Sequence, residues 1–358
     1  MPRIFLAYLA SWPSFDISTI PAEKLTHICY AFANIDDGRV VLPQSIGQEA
    51  DAAALERAEQ QFIQLQALKQ KNPKLKLMIS IGGWGADGFS DAALTEQSRA
   101  EFAESAVQFM LMRQLDGIDL DWEYPSNAMA GITAREQDRH NFSLLLQAVR
   151  QRLDLQSELE PRTVDARYQL SIAAGAGQYY LDGIEVNQVA QACDFINLMT
   201  YDFYNGWAKQ AGHHANLYRS ASDPLGDSAD DGVALFRSHG VPAEKLVLGC
   251  PMYGRALAGV GAPGLGALGC AGSNTAPSFR QIETELLPSG RFQRYWDATA
   301  QAPWLFDGDR FISYEDQESI ALKGRYVRQQ QLAGAMFWEL TEDHQFSLLS
   351  ALHEAIYS

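Results

Sequence analysis

The sequence predicts an α/β protein, a closed (β/α)8 barrel with a small α+β insertion between its seventh and eighth strands. Three observations carry this. Eight short apolar runs rich in β-formers alternate with longer helical patterns. The runs are almost continuously apolar, as strands of a parallel sheet covered by helices are. The rhythm breaks once, between the seventh and eighth runs. A doubly wound open sheet is the competing arrangement, but it more often has about five or six strands. Eight units over 358 residues suit closure better.

In order, the first strand is RIFLAYLAS (3–11) and the second THICYAFANI (26–35). A helical pattern over 51–71 leads to LKLMISIGG (75–83). The helix of 92–114 precedes LDGIDLDWEY (115–124), and the helix of 135–154 precedes YQLSIAAGA (168–176). VNQVAQAC (186–193) reads as a short helix before DFINLMTYDF (194–203), and DDGVALFRSHG (230–240) as one before KLVLGCPMYG (245–254). The last strand, GAMFWEL (334–340), is followed by a helix around 347–357. Residues 1–254 and 305–358 are assigned to the barrel and 255–304 to the insertion, on a loop that belongs to the barrel's C-terminal face. GLGALG (264–269) matches G-x-G-x-x-G but lacks the leading strand and following helix that the dinucleotide motif needs, so it reads as a plain loop.

Apolar residues make up 47% of the chain and charged residues 20%, an ordinary globular balance. The net charge of −16, with no basic run, argues against nucleic acid and anionic membranes and favours a neutral or cationic substrate. Four scattered cysteines with no CxxC do not form a disulfide framework; Cys29 and Cys250, inside apolar runs, read as buried thiols. No run approaches the roughly 20 apolar residues of a membrane span. The opening MPRIFLAYLASW reads as a first strand rather than a signal peptide, so either the protein is cytoplasmic or a leader has been removed.

The chemistry concentrates in DGIDLDWEYP (116–125). Side chains of a strand alternate faces, so Asp119, Asp121 and Glu123 share one face and Leu120 and Trp122 the other. In a barrel the acids then climb the inner wall, with Glu123 nearest the C-terminal mouth. Asp116 is out of phase and begins the strand. Stacked buried carboxyls cannot all ionise cheaply, so at least one keeps a proton near neutral pH and can serve as a general acid. A solvated acidic face does not fit, because apolar residues flank every acid. A Mg²⁺ site would draw ligands from several strands, and no metal or cofactor is expected.

DGIDLDWE resembles the D-G-x-D-x-D-x-E signature of glycoside hydrolase family 18, the chitinase-like barrels. SIGG (80–83), MTYD (199–202), GCPMYGR (249–255) and the tryptophan of MFWEL (Trp338) resemble further segments of that family, so the likeness spans essentially the whole chain. The resemblance implies a retaining, substrate-assisted hydrolysis of β-1,4-linked N-acetylglucosamine polymers or oligomers. Glu123 would protonate the glycosidic oxygen while the substrate's acetamido carbonyl closes on the anomeric carbon. Asp121 would orient the amide, Asp119 would share a proton with Asp121, and Ser80 would hydrogen-bond to Asp119. Tyr201 is implied to hold the N-acetyl oxygen, with Asp202 beside it. Trp338 would be the sugar platform, extended by Trp84 and Trp207. Tyr8, Phe32, Tyr124 and Met199 are implied to line the same pocket. Arg255 is either a contact to sugar hydroxyls or an ion-pair partner.

The resemblance also implies a secreted monomer acting on chitin or a chito-oligosaccharide, with endo action favoured. Two other functions use the same residues. One is an endo-β-N-acetylglucosaminidase acting on N-linked glycans; the other is a non-catalytic chitin-binding lectin. The glutamate at position 123 argues for an enzyme.

Overall fold

The computed structural model describes residues 3–43, 51–160, 166–223, 226–270 and 272–358. In chain order the strands are β1 (Ile4–Ala10), β2 (His27–Asp36), β3 (Arg39–Val41), β4 (Lys76–Gly82), β5 (Gly117–Asp121), β6 (Gln169–Gly175) and β7 (Phe195–Met199). They continue with β8 (Leu246–Pro251), β9 (Arg255–Leu257), β10 (Gln293–Asp297), β11 (Ala302–Phe306), β12 (Phe311–Ser313) and β13 (Gly334–Trp338). The main sheet runs β1-β13-β8-β7-β6-β5-β4-β2-β3, and β1 also pairs with β2. The eight strands other than β3 therefore close into the parallel barrel that the alternating pattern predicts. β3 is an added antiparallel partner of β2.

The helices follow from local signals. Asp51 accepts from the backbone N–H of Ala54 and starts helix Ala52–Lys71. Thr95 and Ser98 form a capping box at the start of helix Glu96–Met112. Phe102, Ala103, Ala106, Val107 and Met110 of that helix recur at helical spacing and are buried. Helix Gln317–Gln329, capped by Asp316 and Ser319, is one that the apolar pattern did not single out.

Two barrel strands stop earlier than their apolar runs. β5 ends at Asp121, because its ladder with β4 runs out at the pair Gly82–Asp121. There Gly82 takes φ +115° and turns its strand away. β7 ends at Met199, after which the Thr200 hydroxyl replaces the backbone ladder: it donates to the Gly249 carbonyl (2.7 Å) and accepts from the Gly249 N–H (3.0 Å).

After β8 the chain builds a second, antiparallel sheet in the order β10-β11-β12-β9. Leu257, Val260, Trp304, Phe306 and Phe311 bury one cluster with Ala211, and Tyr295 stacks on Trp304 with ring centres 4.1 Å apart. This sheet starts at Arg255 and runs past residue 304, through the end of β11 and all of β12 to Ser313. GLGALG lies in a loop there, and its Leu268 bridges to Gln210.

The chain divides into two compact units, one of Met1–Ala7, Leu198–Ser238 and Leu246–Ser358 and the other of Tyr8–Asn197 and His239–Lys245. Cys29, Cys193 and Cys250 are buried and Cys270 is exposed. Among the described residues no helix is long and apolar enough to cross a membrane.

Candidate active site

In the unit containing β2 to β6, the register alone assembles one layer of the interior. Ser80 on β4 lies opposite Asp119 on β5, and Asp119 opposite Ser171 on β6. Asp119 is fully buried. Its Oδ2 accepts from Tyr8 Oη (2.9 Å) and Ser80 Oγ (2.8 Å). Its Oδ1 accepts from Ser171 Oγ (2.6 Å) and Asn197 Nδ2 (3.2 Å). Four donors occupy the roughly four lone-pair positions of the carboxylate. Burial raises the Asp119 pKa, and these hydrogen bonds oppose the rise.

Asp121, two residues on, is equally enclosed but differently served. Its Oδ1 has no hydrogen-bond partner among the described residues. Burial, then the charges of Glu123 and Asp119, push its pKa well above the carboxylate range. Glu123 follows β5 and is half-buried. Trp122 points the other way, stacked on Phe89 at 5.3 Å and edge-on to Phe142 at 5.4 Å, so the face alternation persists beyond the last ladder pair.

The glycines of SIGG have a physical reason. A Cβ on Gly82 would lie 2.2 Å from the Asp121 carbonyl oxygen, and one on Gly83 would lie 2.7 Å from the Phe32 ring. The Gly83 N–H donates to that same carbonyl (2.9 Å). The two glycines let β4 press against the ladder and hold its upper end.

Around the ladder stands a series of aromatic rings. Trp84 is 49% exposed and meets Tyr124 edge-on at 6.2 Å; Tyr124 in turn meets Tyr179 at 5.3 Å and Tyr180 at 5.8 Å. Phe32 is half-buried and stacks at 6.3 Å with Trp12, which is 64% exposed. Tyr8, expected in the pocket lining, is buried and serves as a donor to Asp119. Ser171, Asn197, Trp12 and Tyr179 were not singled out from the sequence. The inward phase of Ser171 and Asn197 on β6 and β7, and the position of Trp12 just after β1, are signals that could have found them.

The other unit gathers a second group. Asp202, in the left-handed region at φ 60°, is gripped by Arg255 through Nε to Oδ1 (2.7 Å) and Nη2 to Oδ2 (2.6 Å). Of the two roles left open for Arg255, the structure shows the ion-pair partner. Burial would raise the Asp202 pKa, but His214 and Arg255 outweigh it and hold the group well below the usual range. Arg255 also lies 5.2 Å from the Tyr253 ring centre, and Tyr201 packs edge-on to the same ring at 6.3 Å. Met199 and Trp338 end their strands half-buried, and Trp207 is 65% exposed. Glu342, in the turn after Trp338, is pushed up to about 8 by burial and by the Glu339 charge. Three cis peptides, Ala31–Phe32, Glu123–Tyr124 and Trp338–Glu339, adjoin candidate residues.

A parallel (β/α)8 barrel with acids stacked on an inner strand, one of them of raised proton affinity, is an arrangement that suits a glycosidase. Comparisons with known proteins agree. The family profile described as "Glycosyl hydrolases family 18" matches residues 4–343, and the chain belongs to that family. It is 35% identical to Chitinase A1 of Niallia circulans over 97% of its own length and 57% of that protein, so it spans little more than half of that relative. It is 31% identical to Chitinase B of Serratia marcescens, over 95% of this chain and 78% of that one. Among solved structures, a family 18 N-acetylglucosaminidase from Paenibacillus barengoltzii superposes with TM-score 0.88 at 40% identity, covering 99% of both chains. Chitinase ChiA74 of Bacillus thuringiensis gives TM-score 0.88 at 32% identity, over 99% of this chain and 70% of that one.

Proposed function

We propose that this protein is a chitinase that hydrolyses β-1,4-linked N-acetylglucosamine polymers and oligomers with retention, by substrate-assisted catalysis. The observation that carries the proposal is Asp121: a buried carboxyl of raised proton affinity with an unpartnered oxygen, next to Glu123. The proton shared by the Asp121–Glu123 pair passes through Glu123 to the glycosidic oxygen as the bond to the leaving sugar breaks, which leaves Asp121 as the carboxylate. The acetamido carbonyl of the sugar at the cleavage point attacks C1, giving an oxazolinium ion. A neighbouring group of this kind has a high effective molarity, so the protein supplies no nucleophile of its own. Asp121 Oδ1 accepts the amide N–H, and its high proton affinity strengthens that bond as positive charge develops. Asp119 is fixed behind Asp121 by four donors, and sharing a proton with Asp121 requires one donor to let go. The Glu123 carboxylate then takes a proton from water, which opens the ring ion on the same face.

In this reading Tyr201 holds the N-acetyl oxygen and Trp338 stacks under the sugar, roles that family membership supports. The exposed rings of Trp84, Trp207 and Trp12 serve as platforms for further sugars and favour endo action on a chain. Glu123→Gln tests the acid: turnover of a chito-oligosaccharide should fall about 10²–10⁴-fold with binding retained. Near-normal turnover would reject the assignment.

A second reading, an N-acetylglucosaminidase releasing single sugars, is favoured by the identity to the Paenibacillus barengoltzii enzyme. A time course on chitin hexamer separates the two. Dimers and trimers among the first products, in the β-anomeric form, support endo action; N-acetylglucosamine alone from the outset supports the second reading.

A further inference from the structure

We propose that His214 is a positioning residue for this reaction: its imidazole, enclosed beneath the Asp202–Arg255 pair, sets that pair in its substrate-binding geometry and releases it when protonated. The proposal rests on the reading above, in which the Tyr201–Asp202 segment binds sugar. His214 is completely buried, and neither ring nitrogen has a hydrogen-bond partner among the described residues. Its Nδ1 lies 3.6 Å from Asp202 Oδ1, beyond hydrogen-bond distance. Its ring packs on Tyr253 at 5.3 Å, the ring over which Arg255 lies. Its backbone is fixed on both sides: the N–H donates to Ser313 Oγ on β12 (2.9 Å), and the carbonyl accepts from the Phe203 N–H (3.1 Å), next to Asp202. The imidazole is therefore held against one carboxylate oxygen, at 3.6 Å just beyond a full hydrogen bond, and that oxygen is committed to Arg255 Nε.

Neutral His214 acts as a spacer. It fills the volume behind Asp202 and leaves both carboxylate oxygens to the arginine fork. Protonation makes it a second cation competing for the same oxygen. A charge-assisted hydrogen bond from Nδ1 would draw Asp202 toward the imidazole and loosen the fork. The charged groups facing the imidazole are Asp202, which favours protonation, and Arg255 and Lys323, which oppose it. Burial acts first and lowers the histidine pKa, so the spacer state holds through neutral pH and is lost only in acid.

The test is a steady-state series on a soluble chito-oligosaccharide between about pH 4 and 8, with KM and kcat read separately and circular dichroism confirming the fold at each pH. In the wild type KM should rise in acid, by up to about tenfold per pH unit for a single controlling proton. In His214→Gln, whose amide does not titrate, that rise should vanish while kcat keeps its own acid and alkaline limbs. An unchanged rise in a folded His214→Gln, or a wild-type KM flat across the range, overturns the proposal. Should His214→Gln not fold, Asp202→Asn serves instead: it removes the anion that draws the imidazolium, so the KM rise must shift to lower pH, and an unshifted rise overturns the proposal equally. Failure of the wild type to hydrolyse the oligomer at any pH refutes the proposed function instead, because this inference is read only from the pH course of KM.

Discussion

Asp119 and Asp121 are two residues apart on one strand, and opposite satisfaction of their oxygens separates their roles. Asp119 is saturated with donors, so it is a fixed part of the wall. Asp121 has an oxygen to offer, and its proton affinity is raised by burial and by two acidic neighbours. Ser171→Ala removes the shortest of the four bonds to Asp119 and leaves a buried oxygen under-served. The expected loss of stability is about 1–3 kcal/mol in urea unfolding near neutral pH, and a change within error would show that the bond has little net worth. Glu342 gives a prediction of opposite kind. With its folded pKa raised to about 8, the native state keeps a proton that the unfolded chain releases above its ordinary 4.5. Stability is therefore lost as pH rises through that window. Glu342→Gln should match the wild type in acid and gain on it up to about pH 8, levelling at about 2 kcal/mol once partial solvent screening is allowed for. Melting curves across pH check this; a constant difference would contradict it. The alternation within 116–125 makes the inward acids legible from the sequence, whereas Ser171 and Asn197, on β6 and β7, come to Asp119 only through barrel register.

At the scale of the strand pair, β4 and β5 explain why the serine and the two glycines of SIGG occur together. Ser80 faces Asp119 one layer down, and Gly82 faces Asp121 one layer up. Gly82 meets two demands at once, a positive φ and a carbonyl 2.2 Å from where a Cβ would sit. Gly82→Ala should therefore cost about 2–4 kcal/mol and displace Asp121, lowering kcat as well as the urea midpoint. A variant as stable and active as the wild type would mean that β4 yields at no cost. Strand and helix positions were largely readable: the apolar run of 75–83 holds β4, and the pattern of 51–71 holds helix Ala52–Lys71. Strand ends were not. β5 and β7 stop where a glycine turn and a threonine side chain interrupt the ladder, and apolar content does not register either event.

Across the whole barrel, closure creates contacts between strands that are not neighbours. His27 on β2 hydrogen-bonds to Gln169 on β6 (2.9 Å), with β4 and β5 between them in the sheet. Burial lowers the His27 pKa from 6.5 to about 4. Kept neutral in the fold, it contributes stability that is complete above pH 6.5 and lost as pH falls toward 4, because the unfolded chain gains the proton first. The loss attributable to this group is up to about 3 kcal/mol, and His27→Gln should flatten that part of the stability-against-pH curve. An equally steep acid slope in the variant would assign the effect elsewhere. The sequence by itself determined the eight-strand alternation and the inward phase of the acids, because periodicity is a local property. Only the tertiary structure decided which donors reach Asp119, that Arg255 grips Asp202, and that His214 sits beneath that pair. Most of those contacts join residues tens of positions apart, and they exist only once a closed sheet has fixed the register of every strand.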